Sequence, residues 1–188
     1  GRYDIVLGYY NGDKHYPLRG FSCSSQQIPG LKQEFKKYDL FASLELDEVY
    51  GEKELDNSLH YMADTFASVY MANLGDGKFA FTDLPYLAQL SNISDMVVDD
   101  FNGDGNMDVV AVNNWFVSEI ETPRNDAGTG SVLLGDGKGG FTALSGRQSG
   151  FWADGDTRKT VQITIQSEKR ILVAKNNAEI EVFSLLGE

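Results

Sequence analysis

The chain has 188 residues, of which 41% are hydrophobic and 23% charged, a balance that supports a packed core rather than a disordered polymer. Sixteen Lys and Arg stand against 28 Asp and Glu, a formal net charge of −12. That charge excludes a nucleic-acid binder, whose affinity comes from neutralising phosphates, and disfavours an anionic membrane surface. No apolar run approaches the ~20 residues of a membrane-spanning helix. Cys23 is the single cysteine, and His15 and His60 are the only histidines, so no internal disulfide and no Cys/His zinc framework can form. No leader is visible, so the expectation is either a cytoplasmic protein or one whose targeting segment has been cut away.

Residues 3–10 and 14–21 read as two strands, and Asn11-Gly12-Asp13 between them as a hairpin turn. Residues 22–30 read as a polar loop. Leu31, Phe35 and Tyr38 then fall on one helical face, and Asp39 is placed to cap a second helix that ends at Gly51. A third short helix is expected near Glu52–Leu59. Residues 31–59 therefore read as a helical insert in a β protein.

Strands resume from residue 61. Leu74-Gly75-Asp76-Gly77-Lys78 and Leu134-Gly135-Asp136-Gly137-Lys138 are the same word 60 residues apart, and each precedes a Phe-Thr pair. Ala111-Val112-Asn113-Asn114 and Ala174-Lys175-Asn176-Asn177 echo one another at 63 residues. A repeat of this period marks one supersecondary unit used more than once, here about four short strands, the content of one propeller blade. Asp-Gly is ordinary turn chemistry, so the repeated word is architectural.

The informative segment is Asp100-Phe101-Asn102-Gly103-Asp104-Gly105-Asn106-Met107-Asp108, between the β-branched runs 96–98 and 109–112. Oxygen donors fall at alternate positions of a tight loop, and two glycines let the backbone wrap around a hard cation. Calcium takes about 6–8 oxygens, whereas magnesium demands a tighter octahedron. Asp100, Asn102, Asp104 and Asp108 are assigned as side-chain ligands, and Asn106 as a ligand through its backbone carbonyl. An EF-hand is excluded, because its bidentate Glu would fall on Ala111 and its flanking helices are replaced by strands.

This strand–loop–strand motif resembles the FG-GAP, or VCBS, calcium repeat of integrin-type β-propellers, a likeness that covers residues 61–183. The first 60 residues look like the C-terminal part of large exported Bacteroidetes proteins that carry VCBS repeats and an ASPIC/UnbV-type domain. The resemblance implies a mainly β fold: a partial β-propeller of about two four-stranded blades plus an N-terminal strand pair. The chain then reads as one domain, 1–188, with a hairpin and loop (1–30), the insert (31–59), a blade with the calcium loop (60–126) and a terminal blade without it (127–188). In that last blade Thr164–Arg170 stands where the loop would be and carries no Asp. Asp4, ahead of Ile5-Val6-Leu7, sits as Asp108 sits ahead of Val109-Val110. Two blades cannot close a ring, so the chain is a fragment of a longer protein, or a partner supplies the other blades, or it stays an open arc with helices covering an edge; a fragment with an open arc is the expectation.

The functional expectation is a non-catalytic, calcium-stabilised binding or adhesion module of an exported bacterial protein. The ligand would be a protein or a glycan at the cell surface, and the location secreted, periplasmic or on the outer membrane. Calcium sites of extracellular modules bind at about 10⁻⁴–10⁻³ M, which fits such a location. Trp115, Glu121, Arg124 and Asp126 are the candidate ligand-binding residues, on a charged loop beside exposed aromatics. No catalytic residue is assigned. The competing reading is part of a calcium-containing propeller enzyme, a lyase or hydrolase of polysaccharides, which would need a carboxylate pair in a cleft beside Trp115 or Trp152.

Overall fold

The computed structural model describes residues 4–118 and 122–185. The protein is mainly β, and its described residues hold eleven strands in four small antiparallel sheets and a few short helices. Among the described residues no sheet closes into a barrel or a propeller, and no helix is long and apolar enough to cross a membrane. The chain divides into two compact units, Gly1–Ala63 and Asp64–Glu188, so the division falls four residues beyond the end of the insert read from sequence.

In the first unit, β1 (Gly8–Asn11) and β2 (Lys14–Pro17) form a hairpin. Asn11 pairs with Lys14, so the turn is Gly12-Asp13 with Gly12 at φ +64, one residue later than the Asn-Gly turn expected. Five short helices follow: α1 (Phe21–Gln27), α2 (Leu31–Glu34), α3 (Tyr38–Ser43), α4 (Leu46–Tyr50) and α5 (Glu52–Asp56). The helical insert is present, and α1 extends it into the stretch read as a polar loop. Helix α1 lacks an apolar stripe of its own. Its Ser24 and Ser25 are buried instead, with hydroxyls bonded to the carbonyls of Arg19 and Ser22. Asp39 is not the cap of α3: Lys37 holds that position, and Asp39 lies in the first turn, where its charge suits the helix dipole. Leu31, Phe35, Phe41 and Val49 form a small core, each contributing roughly 1.5–3 kcal/mol by burial. A reciprocal Glu45/Glu48 capping box opens α4, and Lys14 reaches Glu45 at 3.0 Å.

Across the division, residues 61–68 form no strand, and Tyr61 and Phe66 are 92% exposed. A β-prone run becomes a strand only where a neighbour takes its backbone hydrogen bonds. β3 (Val69–Gly75) and β4 (Lys78–Asp83) make a two-stranded sheet. β5 (Ile93–Asp99), β6 (Asp108–Asn113), β7 (Ser131–Gly135) and β8 (Phe141–Leu144) follow one another across a four-stranded sheet. β9 (Thr157–Ile165), β10 (Glu168–Lys175) and β11 (Glu181–Ser184) make a third, with β10 central. The expected blade limits, 60–126 and 127–188, are therefore out of phase with the sheets. The four-stranded sheet spans residues 93–144, because β6 pairs with β7 through Val109↔Leu133 and Ala111↔Ser131.

The main core joins these last two sheets. Val110, Val112 and Val132 pack with Ile171, Val173, Phe151 and Ala153. β6 has strands on both sides and is buried at Val110, Ala111, Val112 and Asn113, which is why it reads as a continuous apolar run.

Candidate functional site

The acidic loop joins β5 to β6, as its β-branched flanks require, and Asp99 pairs with Asp108 at its neck. Gly103 and Gly105 adopt φ +76 and +85, a region that costs an ordinary side chain energy, so the loop needs glycine there. The Asp100 carboxylate accepts from the backbone N–H of Gly103 at 2.7 Å, Asp104 at 3.2 Å and Gly105 at 2.9 Å. Asn102 Oδ1 accepts from the Asp104 N–H, and Asp104 Oδ1 from the Asn106 N–H. The Asn106 N–H and the Asn102 amide hold the Asp104 carboxyl below its usual range.

Asp108 differs from the other acids. It is fully buried, and its two oxygens accept from the backbone N–H groups of Phe101 at 3.0 Å and Gly135 at 2.9 Å. One carboxylate thus ties the loop to β7. Sequence reasoning marks Asp108 as a donor and misses the clasp, because Gly135 lies 27 residues away. Asn106 turns its side chain toward the β7–β8 turn, where a Cβ on Gly137 would come within 2.3 Å of Asn106 Oδ1. The same side chain also bonds the Asp104 carboxyl within the loop, and its backbone carbonyl is the donor assigned from sequence.

The donor types and the loop backbone fit a hard cation. Asp100, Asp104 and Asp108 nevertheless direct their oxygens to backbone N–H groups, and among the described residues no three His, Cys, Asp or Glu side chains form a group that could hold a metal. A carboxylate offers about four lone-pair positions, so these bonds leave acceptor capacity on each acid. At the mouth of the loop, the Lys169 ammonium and the Gln162 amide bond Asp99 and hold its carboxyl below the ordinary range. In the third sheet the corresponding connection is the two-residue turn Gln166-Ser167, both at positive φ.

Three of the four candidate ligand-binding residues meet after β6. Trp115 and Asn125 exchange backbone hydrogen bonds of 2.8 and 2.9 Å, which sets Arg124 and Asp126 on either side of Asn125. Arg124 bonds Asp126 at 2.9 Å and lies 4.7 Å over the Phe116 ring. Glu121 lies outside the described residues. Sequence reasoning missed the fourth member, Arg158, whose guanidinium lies 5.3 Å over Trp115 and bonds the buried Asp156 at 2.8 Å. Only the fold reveals it, since 43 residues separate it from Trp115. Asn114, at φ +87, fixes the start of this surface by bonding Gly128 through both ends of its amide and the Gly155 carbonyl. Trp115 and Trp152 are 47% and 57% exposed, so neither is consumed by packing. A nearby cavity of about 500 Å³ includes Asn125, Asn92, Ser91 and Met96 in its wall, which carries no ionisable side chain.

Compared with family models, with curated proteins and with solved structures, the chain matches none.

Proposed function

We propose that this chain is a non-catalytic, calcium-stabilised binding module of an exported protein, built from FG-GAP-type repeats that form part of a β-propeller. The observation that carries the reading is the β5–β6 loop. It sets oxygen donors at positions 100, 102, 104, 106 and 108 around two left-handed glycines, and its last donor is buried against β7. Calcium would be held by Asp100, Asn102, Asp104, Asp108 and the Asn106 carbonyl. It would supply charge neutralisation for three carboxylates, and no chemical step. Two repeat features support the propeller arrangement. The Leu-Gly-Asp-Gly-Lys word stands at the hairpin connection of both β3–β4 and β7–β8, over a two-residue turn in the first and a five-residue one in the second, and the echoed Asn114 and Asn177 both take positive φ after β6 and β10. The ligand, a surface protein or glycan, would rest on Trp115, Arg124 and Asp126, with Arg158 holding the indole.

Thermal unfolding with EDTA and with about 10 mM calcium tests the reading. At dissociation constants of about 10⁻⁴–10⁻³ M the ion adds roughly 1.4–2.7 kcal/mol, a rise in midpoint of about 3–10 °C. Asp104→Ala should abolish that rise. An equal midpoint in EDTA and calcium for the native chain would reject the metal site.

A further inference from the structure

The two copies of the Leu-Gly-Asp-Gly-Lys hairpin differ in their surroundings: β7 has a strand on its outer side, and β3 has none among the described residues. Leu84 N–H donates to Ser68 O, so by antiparallel alternation Tyr70 and Ala72 bond toward β4, while Val69, Met71 and Asn73 turn their backbone groups away from it. In the second copy the outward residues are Ser131 and Leu133, and they are the ones that meet β6 at Ala111 and Val109. Sixty residues separate Met71 from Ser131 and Asn73 from Leu133, so the outward registers are equivalent.

The end of the strand says what is missing. In β7 the Gly135 N–H is satisfied by Asp108, the first residue of the partner strand, at 2.9 Å. In β3, Gly75 stands at the same place in the repeated word but at φ +84 after a register shift, and its N–H is satisfied at 2.9 Å by Asn73 Oδ1, from the same strand. Asn73 thus meets locally the strand-end donor that Asp108 meets across strands in β7.

We infer that the outer edge of β3 is a strand-addition site, whose occupant is an extended segment opening with Asp and continuing with β-branched residues, antiparallel to Met71–Asn73. Asp108-Val109-Val110 defines this class, and Asp4-Ile5-Val6 is a second stretch of it in the sequence. Backbone hydrogen bonds supply the attraction, and the leading carboxylate sets the register against Gly75. The inference rests on the repeat reading above and is independent of calcium.

The probe is a synthetic peptide of residues 108–113 added to the intact, isotope-labelled chain. The amide resonances of Met71 and Asn73 should move and saturate, with their hydrogen exchange slowed by roughly tenfold. A peptide carrying Asp108→Ala should bind more weakly. Met71→Pro should abolish binding while leaving the hairpin folded, since proline is tolerated where an edge N–H faces solvent. Unmoved amides at millimolar peptide, or shifts that persist in Met71→Pro, would overturn the site. So would protection of the same amides that rises with protein concentration alone, because a second copy would then be the occupant. None of these results alters the calcium measurement, so the two ideas fail separately.

Discussion

The β3–β4 and β7–β8 hairpins share a turn word, yet they live in different environments. β7 is buried at Ser131, Val132, Leu133 and Gly135, whereas β4 is exposed along its whole length and β3 along most of it. Met71, Phe79 and Phe81 lie on one face of the first hairpin and remain 54, 47 and 63% exposed. The shared word places a hairpin in both cases but not the same turn: β3–β4 closes over Asp76-Gly77 with Gly75 at φ +84, and β7–β8 over residues 136–140. Burial comes from the neighbours, which are β6, the acidic loop and the core of the adjoining sheet in one case, and Tyr70 against Phe141 in the other. Substitutions at equivalent positions should separate these contributions.

The widest separation is expected at Leu133 and its counterpart Asn73. Leu133 is fully buried, and Leu133→Ala should cost about 2–5 kcal/mol in urea unfolding. Asn73→Ala, on an exposed strand, should cost no more than about 1 kcal/mol. Equal losses would mean that the two hairpins are buried alike in solution.

Asp108 comes next. Asp108→Ala strands the N–H groups of Phe101 and Gly135 away from water, at a cost of about 2–4 kcal/mol. Asp104→Ala, at the exposed tip of the same loop, should cost less than about 1 kcal/mol in EDTA. If Asp104→Ala costs as much as Asp108→Ala without calcium, the clasp is not what holds the loop to β7.

The glycines give a contrast in kind. A Cβ on Gly135 would lie 2.2 Å from the Met107 carbonyl oxygen, so Gly135→Ala should cost about 1–3 kcal/mol by steric overlap, and Gly135→Asn no less. Gly75 meets nothing within 4 Å, but its φ is +84. Gly75→Ala should then cost about 1 kcal/mol through backbone conformation alone, and Gly75→Asn less, because Asn tolerates that region. Asn would thus rescue one glycine and not the other.

These contrasts also show what a sequence can display. The turns, the helical insert and the acidic loop were legible because each is decided within about ten residues. Gly12, Gly51, Gly103 and Gly105 all sit at positive φ where local chemistry demands it. Helix α1 was not legible, since its burial depends on Phe21 and Ile28 packing against Leu31 and Phe41 rather than on a stripe of its own. The grouping of strands was hidden for the same reason. Nothing within β7 says that its partner is β6 rather than a strand of the following unit. The site divides likewise: the run 100–108 displays its donors, whereas the Asp108–Gly135 bond and the Arg158–Trp115 stack exist only once distant strands are in register.

The smallest effect lies at the rim of the four-stranded sheet, where Lys169 of β10 reaches Asp99 of β5. No such tie is recorded for β3–β4 among the described residues. Lys169 and Gln162 lower the Asp99 carboxyl below the ~3.9 of a free aspartate, so the folded state favours the ionised form. A depressed carboxyl stabilises the fold above its unfolded value, and that stability is lost as pH falls through the folded value. Lys169 is half exposed, so screening limits the pair to about 1 kcal/mol or less. Lys169→Met should therefore lower stability slightly at pH 6. The gap to the native chain should close as the pH drops below the ordinary carboxylate range, and it should shrink with added salt, because the pair is open to solvent. A gap that is constant from pH 6 down to pH 2 would assign the effect of Lys169 to packing of its stem along β10, and would remove the electrostatic link between the two sheets.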